Sequence, residues 1–125
     1  MSYRTDRAKV TGLGSAKAGT GHFWEQRISA IALMILAPLF ILPLAYNMGD
    51  TFENVRAAYA HPFNAIIALA FFITAFLHLF QGLQVVIEDY VHGRMGTFLI
   101  IAARLFCSLG ALTAVFSILK IAFSA

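Results

Sequence analysis

Three long apolar runs, separated by short polar stretches, constrain this chain more than any other feature of its sequence. The runs extend over about residues 28–46, 62–87 and 97–123. Each has about the 20 residues that a helix needs to cross a hydrocarbon core of about 30 Å. Charged residues make up 12% of the chain, whereas soluble domains carry about 25%. The sequence therefore predicts an all-α membrane protein with three transmembrane helices.

The positive charges that precede the first run predict how the chain is oriented. Arg4, Arg7, Lys9, Lys17 and Arg27 lie there and supply most of the formal net charge of +3. Lys and Arg residues near the ends of membrane spans are enriched on the cytoplasmic side. We therefore expect a cytoplasmic N-terminal segment over residues 1–27 and an outward-facing C-terminus. A basic face interleaved with aromatic residues, which is typical of nucleic-acid binding, is missing from the sequence, so we expect no nucleic-acid partner.

The predicted membrane domain, residues 28–125, is too small to bury its own polar groups. Three spans with polar groups facing inward make an incomplete bundle, because membrane helices associate through such groups and through small residues. We therefore expect this domain to form part of a larger bundle that is completed by the helices of another protein chain, with lipid around it.

The second run contains the residues that are most informative about function. His78 lies deep within the run, and Asp89 follows 11 residues later. That separation is almost three helical turns, so the two side chains share one face about 16 Å apart. Thr74 and Gly82 fall on the same face as His78. Because ionisable groups are costly inside a membrane, this face is a candidate functional site.

His78 alone is compatible with several roles. A neutral imidazole can bind haem iron, and Gly82 one turn away leaves room for a flat macrocycle or a close helix. The same side chain could relay protons or hydrogen-bond a neighbouring helix. The residue itself does not decide between these roles.

The residues around His78 and before the first run resemble a known family. The second run carries His78 and, 11 positions later, Asp89-Tyr90, and residues 22–27 read His-Phe-Trp-Glu-Gln-Arg. In span order, length and polar positions the chain resembles the smaller of the two hydrophobic membrane anchors of succinate dehydrogenase, which is respiratory complex II. The histidine-to-Asp-Tyr spacing is the most specific part of this resemblance.

The resemblance implies roles for five residues. His78 would be an axial ligand to the iron of haem b, which is shared with the second hydrophobic anchor of the complex. Arg27 and His22 would lie near the haem propionates, where a guanidinium can pair with carboxylates. Tyr90 would hydrogen-bond a ubiquinone carbonyl oxygen, and Asp89 would help to shape that site.

The resemblance also implies partners and a location. A flavoprotein subunit oxidises succinate, an iron–sulfur subunit carries the electrons, and the two anchors hold both on the bacterial cell inner membrane. With the N-terminus cytoplasmic, the C-terminus would be periplasmic. The chain by itself would have no catalytic residue and no dehydrogenase activity.

Two other functions are also compatible with the sequence. The chain could anchor a fumarate reductase or another small cytochrome b complex, or it could be a small proton-conducting or transport subunit that uses His78 and Asp89. A proton path would need polar residues along a third helix face, where the third run offers Ser108, Thr113 and Ser117.

Individual residues also have simpler explanations. Tyr90 could be an ordinary aromatic residue at the membrane interface. Asp89 could be a solvated residue at a helix end, and Arg27 could be a positive charge that keeps the N-terminus in the cytoplasm. Arg104 could reach the cytoplasmic surface or pair with Asp89 or a propionate. Cys107, the single cysteine, is expected to be a buried structural thiol.

Overall fold

The computed structural model describes residues 3–14 and 19–123. The regular secondary structure of these residues is α-helical, and turns connect the helices. Lys17 of the basic segment and residues 124–125 of the predicted membrane domain lie outside the described residues. The helices are α1 (Asp6–Thr11), α2 (Gly19–Tyr46), α3 (Phe52–Ala60), α4 (Pro62–Tyr90) and α5 (Arg94–Phe123). Within the described part, α2, α4 and α5 are long and apolar enough to cross a membrane. The predicted all-α fold with three spans is confirmed.

The three long helices extend beyond the apolar runs from which they were predicted. They contain 28, 29 and 30 residues, which correspond to about 42–45 Å at 1.5 Å per residue. A hydrocarbon core is about 30 Å thick, so the ends of each helix reach into the polar interface. The largest extension is in α2, which begins at Gly19 and includes the polar residues before Ile28.

A short helix, α3, crosses the segment between the first two spans and was not predicted. Thr51 caps its start by accepting a hydrogen bond from the Asn54 backbone N–H at 3.4 Å. The Asp50 carboxylate accepts two more, from the Thr51 N–H and from Asn54 Nδ2, both at 2.8 Å. These bonds favour the ionised carboxylate, so the pKa of Asp50 lies below its ordinary value.

The small core lies where α3 meets the spans. Its buried members are Tyr59 of α3, Ala65 and Ala68 of α4, and Ile118 of α5. Small residues let membrane helices approach closely, and α4 packs against both α2 and α5. The helix α4 is therefore central, and it fixes where the candidate site residues lie.

The turn between α4 and α5 depends on glycines. Gly93 has a φ of 73°, a backbone conformation that favours glycine. At Gly96 in the first turn of α5, a Cβ would run into the backbone carbonyl of Val91. The start of α5 can therefore lie against the end of α4 only with glycine at position 96.

Candidate functional site

His78 lies in the interior of α4, on the side that packs against α2. It is 16 residues from Pro62 and 12 residues from Tyr90, so it lies about 24 Å and 18 Å from the two ends of the helix. The side chain is half-buried. Among the described residues, no three His, Cys, Asp or Glu side chains converge on a metal-sized site. Any metal held here would have to take further ligands from outside the described residues.

A polar cluster at the α2–α4 interface holds one side of the His78 ring. The Ser29 hydroxyl lies 2.9 Å from His78 Nδ1 and 3.0 Å from Gln81 Oε1. It also lies 2.9 Å from the backbone carbonyl of Gln26 in its own helix. Ser29, Gln81 and Nδ1 of His78 therefore satisfy one another inside an otherwise apolar interface.

The sequence reasoning missed this cluster, although two signals for it were present. Ser29 carries the only hydroxyl between Ile28 and Ala45 in the first apolar run. Gln81 follows His78 by three residues, a spacing that puts two helix residues on one face. Both signals mark a polar contact, but neither identifies the helix on the other side of it.

His78 also lines an open cavity of about 260 Å³. Its walls also include Phe23, Gln26, Arg27 and Ala30 of α2, which follow the spacing of one helix face. The guanidinium of Arg27 lies over the Phe23 ring, 5.1 Å from its centroid. Two residues that were predicted to act together, His78 and Arg27, therefore line one cavity.

The second ring nitrogen of His78, Nε2, has no partner in the described part of the chain. Within residues 3–14 and 19–123, no hydrogen bond reaches Nε2 of His78, since its only bond is made by Nδ1. Beside it, a Cβ added to Gly82 would meet no atom within 4 Å. The space beside Gly82, one helical turn after His78, is therefore not filled by the described residues.

His22 lies on a different side of α2 from Arg27. His22, Gln26 and Ser29 are half-buried and form one stripe, whereas Arg27 is exposed. The Nε2 atom of His22 is buried and has no hydrogen-bond partner among the described residues. A buried polar atom without a partner is costly, so this nitrogen retains hydrogen-bonding capacity for a group outside the described residues.

Asp89 and Tyr90 lie at the exposed end of α4. Tyr90 is 80% exposed, and in the described part of the chain neither side chain makes a hydrogen bond. Because α4 is one continuous helix, Asp89 keeps the predicted position about three turns from His78. The structure therefore leaves Asp89 and Tyr90 available at one end of the helix that carries His78.

Arg104 belongs to α5 and lies beside α4 on the side that packs against α5. Its guanidinium is 5.5 Å from the centroid of the Phe80 ring, in a cavity of about 220 Å³ between α4 and α5. It forms no ion pair with Asp89, so that suggested pairing is wrong for the described residues. Cys107 lines the same cavity and is buried, as predicted.

Two of the three hydroxyls that a proton path along the third run would use bond within α5. Thr113 donates to the carbonyl of Leu109, and Ser117 donates to that of Thr113, both at 2.8 Å. These bonds stay within the helix. A proton path from His78 along α5 therefore has no support among the described residues.

Comparison with known proteins identifies the family. Residues 1–119 match the family described as the succinate dehydrogenase/fumarate reductase transmembrane subunit. The chain belongs to this family. No solved structure matches the chain.

Two curated relatives illustrate the similarity within the succinate dehydrogenase/fumarate reductase transmembrane subunit family. The succinate dehydrogenase hydrophobic membrane anchor subunit of Paracoccus denitrificans is 40% identical over 93 residues, which are 74% of this chain and 72% of the relative. The subunit of the same name from Rickettsia bellii is 34% identical over 105 residues, which are 83% and 84% of the two chains. With three apolar helices, the chain is a multi-pass membrane protein of this family.

Proposed function

We propose that the chain is a membrane anchor subunit of succinate dehydrogenase. In this role it helps to attach the flavoprotein and iron–sulfur subunits to the membrane for electron transfer from succinate to ubiquinone. The observation that carries the proposal is the pairing of His78, with a free ring nitrogen, and Arg27 on one open cavity. The relatives from Paracoccus denitrificans and Rickettsia bellii support the choice of enzyme.

The residues of this chain fit haem b as a cofactor shared with the second hydrophobic anchor. Nε2 of His78, which has no partner among the described residues, would ligate the iron, and a second histidine would come from that second anchor. Arg27 would pair with the propionate carboxylates, and His22 would use its unpartnered Nε2. Gly82 leaves room beside His78. When bound, haem b supplies a one-electron carrier within the membrane.

Ubiquinone is the proposed substrate at the exposed end of α4. The Tyr90 hydroxyl would donate a hydrogen bond to one carbonyl oxygen and orient the ring. Asp89 would shape the site and favour positive or hydrogen-bond-donating groups beside it. Reduction of a quinone takes up protons, so a phenol at the carbonyl oxygen is suited to hold a proton at that atom. The other walls of this site would belong to the partner subunits.

The proposed orientation follows from the basic N-terminal segment. With that segment in the cytoplasm, α2 runs outward, α4 runs inward and α5 runs outward. Asp89 and Tyr90 then lie at the cytoplasmic face of the bacterial inner membrane, where soluble subunits would dock. The C-terminus lies on the periplasmic side.

A reduced-minus-oxidised absorbance spectrum of the affinity-purified chain with its co-purifying partners tests the proposal. We expect a b-type haem band together with a flavoprotein, an iron–sulfur protein and a second small hydrophobic chain. His78→Ala should weaken or remove the band while the chain stays in the membrane. His92→Ala is the matched control, because His92 is exposed in the turn after α4.

The same preparation separates the alternatives. A normal haem band in His78→Ala would refute the ligand assignment. A complex that reduces fumarate with a quinol but does not reduce quinone with succinate would favour a fumarate reductase anchor. A chain that purifies without haem and without these partners would contradict the proposal and return the transport function to consideration.

A further inference from the structure

The contact between Ser29 and His78 has a consequence for the hydrogen atoms of the imidazole ring. A serine hydroxyl has one hydrogen to donate and two lone pairs to accept with. Ser29 Oγ has three polar neighbours within 3.0 Å, namely Gln26 O, Gln81 Oε1 and His78 Nδ1. Two of these are oxygen acceptors, so the hydroxyl hydrogen cannot serve all three contacts.

The number of hydrogens available to these contacts decides which atoms of the cluster donate. If Ser29 gives its hydrogen to Nδ1, the contact with the Gln26 carbonyl is left without one, because a carbonyl oxygen cannot donate. If Nδ1 carries a hydrogen and donates to Ser29, the hydroxyl remains free to donate to the carbonyl of Gln26. The amide of Gln81, turned so that its NH₂ group faces Ser29, then supplies the third hydrogen bond. Only this arrangement supplies a hydrogen to each of the three contacts of Ser29 Oγ.

A hydrogen on Nδ1 leaves Nε2 of the neutral ring with its lone pair. That nitrogen has no partner among the described residues. We propose that Ser29 is a positioning residue for His78, accepting the Nδ1 hydrogen so that the ring presents an Nε2 lone pair. The link to iron ligation rests on the proposed function, but the state of the ring itself does not.

The bond should affect both haem affinity and haem potential. Loss of the group that orients a metal-binding histidine typically costs about 10–100-fold in affinity. Accepting the Nδ1 hydrogen makes the ring a stronger electron donor, which favours ferric iron over ferrous iron. Ser29→Ala should therefore raise the midpoint potential, and each tenfold difference in affinity between the two states corresponds to about 59 mV for one electron.

The matched variants are Ser29→Thr and Ser117→Ala. Ser29→Thr keeps a hydroxyl at the same position and should restore both haem affinity and potential. Ser117→Ala removes a hydroxyl that donates only to the carbonyl of Thr113 in its own helix, so it should leave both quantities unchanged. A general loss of packing would not separate Ser29→Ala from Ser29→Thr in this way.

The state of the ring is measured without haem. Solid-state ¹⁵N NMR of the complex, labelled at histidine and produced in a host that cannot make haem, should show His78 with hydrogen on Nδ1. The signal is assigned by its loss in His78→Asn. Ser29→Ala should shift the ring towards the form with hydrogen on Nε2, and Ser29→Thr should not.

The two measurements distinguish an error in the positioning role of Ser29 from an error in the proposed haem site. Hydrogen on Nε2 in the unsubstituted complex, or a ring and potential unchanged by Ser29→Ala, would overturn the positioning role. An Nδ1–H ring that depends on Ser29, in a complex that never takes up haem, would support the positioning role and overturn the haem part of the proposed function.

Discussion

The hydrogen bond between α3 and α2 gives a stability prediction that is independent of any cofactor. Tyr59 is 7% exposed, and its hydroxyl donates to the backbone carbonyl of Phe40 at 2.7 Å. Its ring also lies 5.5 Å from the Phe40 ring. Tyr59→Phe keeps the ring contact and removes only the donor. The substitution therefore isolates one hydrogen bond.

The size of the effect follows from the burial of the acceptor. A typical net hydrogen bond contributes about 0.5–1.5 kcal/mol, and a buried acceptor left without a donor costs about 1–3 kcal/mol. We therefore expect Tyr59→Phe to lower the free energy of unfolding by about 1–2 kcal/mol, a factor of about 5–30 in the folding equilibrium.

The same side chain predicts a pH dependence. Burial raises the pKa of Tyr59 above its ordinary value, because the charged phenolate is disfavoured away from water. Its contribution to stability is fully present below about pH 10, the ordinary pKa of tyrosine. It is lost as the pH rises from there through the raised pKa. Tyr59→Phe should lack this part of the alkaline destabilisation.

The measurement is a denaturant titration of the purified chain in micelles, followed by helix content from circular dichroism, at pH 7 and above pH 10. Tyr46→Phe is the matched control, because Tyr46 is 90% exposed and should lose almost nothing. Equal losses in the two variants, or no loss in Tyr59→Phe, would refute the assignment of this bond as stabilising.

Three further predictions concern the rest of the chain. Tyr90→Phe should impair ubiquinone reduction but leave succinate oxidation with an artificial acceptor largely intact; equal loss in both assays of the purified complex would indicate failed assembly. Gly96→Ala should destabilise the chain by about 1–3 kcal/mol in the micelle titration, because its Cβ meets the Val91 carbonyl, whereas Gly82→Ala enters open space and should not. Asp50 has a lowered pKa, so its support for the start of α3 is present at neutral pH and lost as the pH falls through that pKa. The protection factors of the amides of residues 51–54, which correct for the intrinsic pH dependence of exchange, should therefore fall in acid, and Asp50→Asn should remove most of that change.

The number and type of the helices could be predicted because membrane helices leave a strong pattern. Each span needs about 20 apolar residues, and three such runs are present. The helix ends could not be predicted from the same pattern, because α2 continues from Ile28 back to Gly19 through polar residues that lie outside the hydrocarbon core. Hydrophobicity indicates where the membrane is, whereas caps and packing determine where a helix begins.

The helix α3 shows a different limit. Phe52–Ala60 is short and mixes polar and apolar residues, so it gives neither a span signal nor a long amphipathic pattern. A local signal did exist, because Thr51 is a favourable N-cap and Glu53 lies in the first turn. The contact between Tyr59 and Phe40, which ties the helix to the bundle, joins residues 19 apart and has no local sequence signature.

The candidate site was only partly predictable for a related reason. Helical spacing predicted which residues of α4 share a face with His78. The resemblance to the family indicated that Arg27 lies near the same site. The contact with Ser29 depends on the relative register of α2 and α4, which spacing within either helix does not contain. The roles proposed for all five site residues stay predictions, because their proposed partners belong to other molecules.

The distribution of hydrogen-bond partners indicates why this subunit needs an assembly. In the α2–α4 interface, Ser29, Gln81 and Nδ1 of His78 have partners within the chain. The Nε2 atoms of His78 and His22 have none in the described part. In a membrane, a polar group without a partner costs several kcal/mol, and no water is present to serve instead. Because His78 lies in the interior of a membrane span, a state in which a group of another molecule engages its Nε2 is lower in free energy than the chain alone in lipid, as the proposed haem site requires.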